Sequence, residues 1–174
     1  MVGARVTGKE PGNWFDIFVI DKGSKHGLER YMAVLKDGAL IGKLFEVGES
    51  YSKVISIVED TSVVAVQSSR TTSRGYLRGD SKLKLDGLCI MDSIDMKAEI
   101  VVGDEIVTSD LSVIYPPGIT VGIVREIKTD VKGLSKIAIV EPAVDFRQYI
   151  DMVLVINQTF EKNISEFIEV EDER

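Results

Sequence analysis

Two stretches of this chain repeat one another. Leu40-Ile41-Gly42-Lys43-Leu44-Phe45-Glu46-Val47 is echoed by Thr120-Val121-Gly122-Ile123-Val124-Arg125-Glu126-Ile127. Ser52-Lys53-Val54 and Ile57-Val58-Glu59 follow the first copy; Ser135-Lys136-Ile137 and Ile139-Val140-Glu141 follow the second. Each copy is a β-rich run with a Gly at the same interior place. A unit of roughly 80 residues is too long for a solenoid repeat and suits a duplicated small barrel. The expected fold is all-β, two small β-barrels in tandem with little helix. Residues 1–70 are expected to form the first module, 71–157 the second, and 158–174 an acidic tail frayed in solution.

The punctuation of the chain supports this reading. Val, Ile and Thr dominate in short runs broken by Gly, Asp, Asn, Ser and Pro, the pattern of strands and turns. Strands are predicted near 3–8, 15–20, 32–36, 39–47, 52–59, 62–68, 73–79, 82–90, 105–109, 120–129, 135–141 and 151–157. Asp37-Gly38 between two apolar runs predicts a two-residue hairpin, because a type I′ turn needs positive φ at both central residues. Residues 53–58 and 152–156 hardly alternate, which predicts burial on both faces. Gly42 and Gly122 fall mid-strand, where Gly is expected only at a bend or a close backbone approach. The terminal strand has two possible homes: it closes the second module, or it closes the first and makes the second an insertion.

Composition removes several functions. The formal net charge of −7 opposes general binding to nucleic-acid backbones, which needs Lys and Arg to neutralise phosphates. Cys89 is the single cysteine, so no internal disulfide forms. No apolar run approaches the ~20 residues of a membrane helix. The opening Met1-Val2-Gly3-Ala4 enters a strand at once and reads as a start placed inside a longer protein.

Candidates for chemistry are few. His26 is the only histidine, and Asp21 and Ser24 lie close to it. They share one Gly-flanked turn, whereas a catalytic triad converges from separate elements. Cys89 in Leu88-Cys89-Ile90 reads as a small core residue. No metal site is expected, since one His and one Cys cannot hold zinc without carboxylates, and Asp92-Ser93-Ile94-Asp95 lacks the spacing of a calcium loop. No phosphate loop and no cofactor site is expected.

Three features read as contact surfaces. Arg70, Arg74, Arg78, Lys82 and Lys84 share even positions with Tyr76, opposite Leu77, Leu83 and Leu85. In extended register this makes either a solvated face or a basic patch for an acidic partner. Trp14, after Pro11-Gly12-Asn13, reads as a turn aromatic or an interface anchor. Tyr115 in Tyr115-Pro116-Pro117-Gly118 reads as a plain turn or a contact loop. Tyr115, Trp14, Arg74, Tyr76 and Arg78 are therefore the candidate partner-binding residues, together with exposed apolar positions of the second module.

The stretch Glu10-Pro11-Gly12-Asn13-Trp14-Phe15, a strand, then Ile20-Asp21-Lys22-Gly23-Ser24 resembles the extracytoplasmic β-domain of the MreC family of bacterial rod-shape-determining proteins. Leu40-Ile41-Gly42-Lys43, Tyr51-Ser52-Lys53-Val54, Arg74-Gly75-Tyr76-Leu77-Arg78-Gly79-Asp80, Val102-Gly103-Asp104, Val107-Thr108-Ser109 and Glu141-Pro142-Ala143-Val144-Asp145-Phe146 extend the resemblance over nearly the whole chain. The family pattern prefers Gly where Tyr31 stands and Gly after Thr108-Ser109, where this chain has Asp110.

The resemblance implies a non-catalytic scaffold that organises peptidoglycan-synthesis enzymes of the cell-elongation machinery and maintains rod shape. Implied partners are a class B penicillin-binding protein, MreD, RodA and, through a missing N-terminal part, MreB, with self-association besides. It implies a single-pass protein of the cell membrane with this domain on the extracytoplasmic side. Two rival expectations stand beside it: a cell-wall polymer-binding module using Trp14, Tyr76 and the basic row, and a trypsin-like double-barrel hydrolase centred on His26. A shared fold does not carry chemistry with it.

Overall fold

The structure is a computed structural model, and residues 1–9 and 16–156 are described. Twelve strands run in chain order: β1 (Val2–Lys9), β2 (Ile17–Ile20), β3 (Ala33–Lys36), β4 (Ala39–Val47), β5 (Ser52–Ser56), β6 (Val63–Ser68), β7 (Arg74–Arg78), β8 (Cys89–Asp95), β9 (Glu105–Thr108), β10 (Thr120–Thr129), β11 (Ser135–Pro142) and β12 (Met152–Ile156). Among the described residues helix is limited to two 3-10 turns, Ser24–His26 and Leu83–Asp86. Trp14 and the acidic segment 158–174 lie outside the described residues.

The pairings close two rings of six strands. β1 pairs with β2, β2 with β5, β5 with β4, β4 with β3, β3 with β12, and β12 returns to β1. The second ring runs β6, β7, β8, β11, β10, β9 and back to β6. Closure leaves neither sheet with a free edge. A short parallel contact, Thr120 opposite Ala39, joins the rings, and one continuous set of buried side chains runs through both.

The division expected near residue 70 is not what the strands follow. β6 pairs within the second ring, and β12 pairs with β1 and β3. Strand pairing therefore inserts the second ring between β5 and β12 of the first. Sequence spacing could not show this, because β12 fits either ring by composition; its partner is chosen by register against Ala4 and Val34.

The repeat is real in three dimensions, with one correction. Gly42 opposes Ser56 and Leu44 opposes Val54; Gly122 opposes Pro142 and Val124 opposes Val140. Both ladders then slip at the same step, between Leu44 and Glu46 and between Val124 and Glu126. The structural counterpart of Ser56 is thus Pro142. The echo of Ile57-Val58-Glu59 by Ile139-Val140-Glu141 is out of register, because the β10–β11 hairpin runs further before turning. The matched glycines have a steric cause. A Cβ at Gly42 would overlap the Ile55 carbonyl oxygen, and one at Gly122 would overlap that of Glu141. Each marks a corner where two backbones meet too closely for any side chain.

Other local expectations hold for stated reasons. Asp37 (φ 50°) and Gly38 (φ 80°) form the predicted tight turn between β3 and β4. Gly23 sits against the Gly48 carbonyl, with which a Cβ would overlap, and Ser24 N–H donates to that oxygen at 2.8 Å. This contact explains why the Asp-Lys-Gly-Ser run needs its Gly. Tyr31, where the family pattern prefers Gly, has φ 72°; a bulky residue held there costs roughly 1–3 kcal/mol.

Two expectations fail. The segment 82–90 is not one strand: the Asp80 carboxylate accepts from Lys82 and Leu83 N–H at 2.9 Å each, starting a 3-10 turn that Gly87 (φ 71°) ends. The strand begins only at Cys89. Nor are 53–58 and 152–156 buried on both faces. Lys53 and Ile55 are half-buried between the buried Val54 and Ser56, and Met152 is exposed beside the buried Val153; two enclosed residues follow one another at Ile57 and Val58, past the end of β5, where the chain crosses between rings.

Asp104 anchors the start of β9. Its buried carboxylate accepts from Arg70 Nε at 2.9 Å, a second Arg70 nitrogen at 3.1 Å and Val101 N–H at 3.0 Å. The Arg70 bond holds this carboxyl below the ordinary range. A depressed folded value means stability that is present above the unfolded pKa of about 3.9 and lost as pH falls further. Denaturant titrations between pH 7 and pH 2.5 are expected to show Asp104→Asn less stable at neutrality and less acid-sensitive than the parent. Gly42→Ala and Gly122→Ala should each cost roughly 3 kcal/mol by overpacking, whereas Gly3→Ala, with open space around it, should leave the midpoint nearly unchanged.

Candidate functional site

The clearest concave site lies on the second ring. It is a groove of about 510 Å³ lined by Val63 and Ala65 of β6, Tyr76 of β7, and Leu111, Val113 and Tyr115 of the segment after β9. Val63, Tyr76, Leu111 and Val113 all expose apolar surface, Val113 at 93%. Exposed large apolar side chains gathered around one depression mark an interaction surface more often than chance exposure does.

The loop that carries Leu111 and Val113 is held from beneath. Thr108, fully buried, donates its hydroxyl to the Pro116 carbonyl at 2.6 Å and accepts from Ile119 N–H at 2.9 Å. The Ser109 hydroxyl accepts from Leu111 N–H at 3.1 Å, and the Ser112 hydroxyl accepts from Tyr115 N–H at 3.0 Å. Arg74 grips the Asp110 carboxylate with two nitrogens, at 3.2–3.3 Å. Small hydroxyl side chains closing onto nearby backbone are what fix a turn without regular structure. The two apolar side chains are thereby presented with little left to order on binding, which favours affinity.

The candidate residues meet different fates. Tyr76 lines the groove at 47% exposure. Tyr115 is not an exposed contact: it is 1% exposed, and burial pushes its phenol pKa up. It forms part of the groove wall, and the Thr108 bonds fix the double-proline turn that follows it. Arg74 is the loop clamp. Arg78 bonds the Asp92 carboxylate at 2.7 Å and lies 5.8 Å from the Tyr76 ring. Arg74, Tyr76 and Arg78 share the outer face of β7, opposite the buried Leu77, as the alternation predicts. Arg70, Arg74 and Arg78 each pair with a carboxylate. Lys84 leaves the row on the 3-10 turn and bridges Asp16 and Asp60 at 3.7 and 3.2 Å. Leu111 and Val113 were missed by sequence reading, since isolated apolar residues in a Ser/Asp-rich loop look like ordinary turn residues.

The groups that raised hydrolytic chemistry are engaged locally. His26 Nδ1 accepts from Gly23 N–H at 3.1 Å. The Asp21 carboxylate accepts from Arg5 N–H at 2.8 Å. Cys89 is buried on β8 with its Sγ 3.6 Å from the Ile57 carbonyl oxygen, and burial pushes its pKa up to about 12. At neutral pH the thiol stays protonated, so no thiolate nucleophile is supplied. Among the described residues no cluster of three or more His, Cys, Asp or Glu is placed to hold a metal. No helix there is long and apolar enough to cross a membrane.

Residues 6–157 match the family model for the rod shape-determining protein MreC, barrel core. The chain belongs to the MreC family. The cell shape-determining protein MreC of Bacillus subtilis is 33% identical over 164 residues, covering 89% of this chain and 56% of the relative. The chain thus spans little more than half the length of that curated relative. MreC of Listeria monocytogenes superposes with a TM-score of 0.80 at 30% identity, covering 88% of this chain and 73% of the other. A complex between PBP2 and MreC of Helicobacter pylori contains a chain with TM-score 0.67 at 18% identity, covering 90% of this chain and 99% of that one; at that identity it shows the shared fold. MreC proteins are cell shape-determining, and the family's barrel core accounts for nearly every described strand here.

Exchange of the Arg74 clamp should be visible. An exposed ion pair contributes about 0.2–1 kcal/mol, so Arg74→Glu is expected to raise amide exchange across 111–115 by up to about fivefold. The charge swap Arg74→Asp with Asp110→Arg should return exchange toward the parent rate, read by hydrogen–deuterium exchange.

Proposed function

We propose that this chain is the extracytoplasmic interaction domain of a membrane-anchored scaffold of cell elongation, and that its groove docks a class B penicillin-binding protein. The single observation that carries the docking assignment is the preorganised apolar presentation of Leu111 and Val113 beside Tyr76. Family membership supports the cell-shape role, and the PBP2 complex of the Helicobacter pylori relative supports the partner class. The anchor belongs to a portion preceding this chain. MreD, RodA and MreB would be met through that portion or through the assembled complex, and self-association would act through surfaces other than the groove.

The mechanism is binding without chemistry. Docking selects the partner conformer that fits the groove best, and a scaffold can shift the partner's activity only by its difference in affinity for the two conformers. Apolar contact in the groove supplies the affinity. The clamped loop supplies the specificity, because its shape is set before the partner arrives.

The test is titration of the purified extracytoplasmic part of the cognate class B penicillin-binding protein. Leu111→Asp and Val113→Asp should each weaken binding at least tenfold, equivalent to about 1.4 kcal/mol. Val131→Asp, at the fully exposed tip of the β10–β11 hairpin, serves as control. Parental affinity in both groove variants would remove the assignment.

A further inference from the structure

The second ring is closed, but the seam that closes it is short and ends inside the groove. β6 pairs with β7 from Val63 opposite Arg78 to Gln67 opposite Arg74, yet with β9 only over Val66 to Ser68. Main-chain groups alternate in direction along a strand. The even residues of β6 bond toward β7: Gly79 N–H donates to the Ser62 carbonyl at 3.4 Å, and Ser68 N–H donates to that of Ser73 at 2.9 Å. The odd residues bond the other way: Ser69 N–H donates to the Glu105 carbonyl at 3.0 Å, and the Ala65 carbonyl accepts from Ser109 N–H at 2.9 Å. At that point β9 has ended, and the chain turns outward into the loop of Leu111 and Val113. Val63 N–H, the Val63 carbonyl and Ala65 N–H therefore point into the gap between β6 and the loop, and among the described residues no main-chain hydrogen bond reaches any of the three.

These groups constrain what can fill the groove. A partner seated against Leu111, Val113 and Tyr76 shuts solvent away from them, and a main-chain group buried without a partner is costly. A helix spends its own main-chain groups internally. An extended segment has a donor and an acceptor at each residue to return. Laid antiparallel to β6 in line with β9, about 4.8 Å away, it meets Val63 through a two-way pair and Ala65 N–H through a further bond. Its alternate side chains then share the face on which Ala65 stands opposite Tyr76, so apolar residues at every second place fill the groove. Charge selects further. Arg74 is matched by Asp110 and Arg78 by Asp92, so the rim is neutral as built and complements an uncharged segment.

We propose that the groove receives an extended, uncharged segment of the penicillin-binding protein as a strand added to β6, its alternate apolar side chains against Tyr76, Leu111 and Val113. The inference rests on the docking assignment above and adds the form of the docked element. Main-chain bonds to Val63 and Ala65 fix the register of the added strand, and the apolar places beside Tyr76 choose among sequences.

The test uses the full chain, isotope-labelled, with the purified extracytoplasmic part of the cognate class B penicillin-binding protein. Calorimetry reports whether a complex forms, and NMR reads single amides. In the complex the Val63 and Ala65 amides are expected to shift downfield and to exchange about tenfold more slowly than in the free chain. Val63→Pro removes only the outward-facing N–H, a change that an edge position tolerates, and should weaken binding about tenfold. Val63→Thr keeps the N–H and the branched shape and should bind like the parent. Exchange at the Val64 and Val66 amides, which bond toward β7, shows whether the proline variant keeps its strand; where it does not, the measurement on the unaltered chain decides. A complex in which the Val63 and Ala65 amides are unshifted and exchange at the free rate overturns the added strand and leaves the docking assignment standing. No complex at all overturns both.

Discussion

Pairing of the chain's first strand with its last is the constraint on which the architecture depends. Val2 to Arg5 lie against Met152 to Val155, so the first ring cannot close until nearly every residue between them has been laid down. Contacts this distant in sequence must overcome a large loop-closure entropy before they stabilise anything. The second ring offsets part of that cost. Its strands β6 to β11 are contiguous in the chain, and once paired they bring residues 57–62 and 143–151 close together, which shortens the effective loop that β12 must close.

The two rings divide the labour. In the first, the Gly23 and Gly42 contacts draw turns and strands close enough for backbone to touch backbone. In the second, the same corner recurs at Gly122, but the hairpin beyond it is longer and the segment after β9 stands out from the barrel as a loop. The two rings share a corner, and the proposed docking groove lies where they differ. That surface owes its shape to hydroxyls and one ion pair around Thr108, Ser109, Ser112 and Asp110, none of them unusual residues in a loop.

Most of the strand order was legible because alternation and turn chemistry are local. Asp37-Gly38 announces its hairpin, and the repeated Gly announces its corner. The failures were non-local or competitive. Strand β12 reads the same whichever ring it joins. Leu83 and Leu85 mimic alternation, and only the Asp80 carboxylate capping the following amides reveals a turn. The charge balance of the basic row was not legible, because a sequence shows where cations lie along a strand and not which carboxylates fold opposite them; Asp92, Asp104 and Asp110 come from other strands and loops. Tyr115 looked exposed beside two prolines, and the Ser112 and Thr108 hydroxyls that fix the turn on either side of it gave no signal of their own.

Insertion of one ring within the other has a mechanical consequence. Two separate stretches of backbone, 57–62 and 143–151, join the rings, reinforced by the Thr120–Ala39 contact. Beads on a single thread swivel; a body moored at two points does not. Tension entering at Met1 is taken up by β1, whose first half pairs with β12 and whose second half pairs with β2. A pull from a partner seated in the groove would therefore reach the start of the chain through parallel lines, each bearing part of the load.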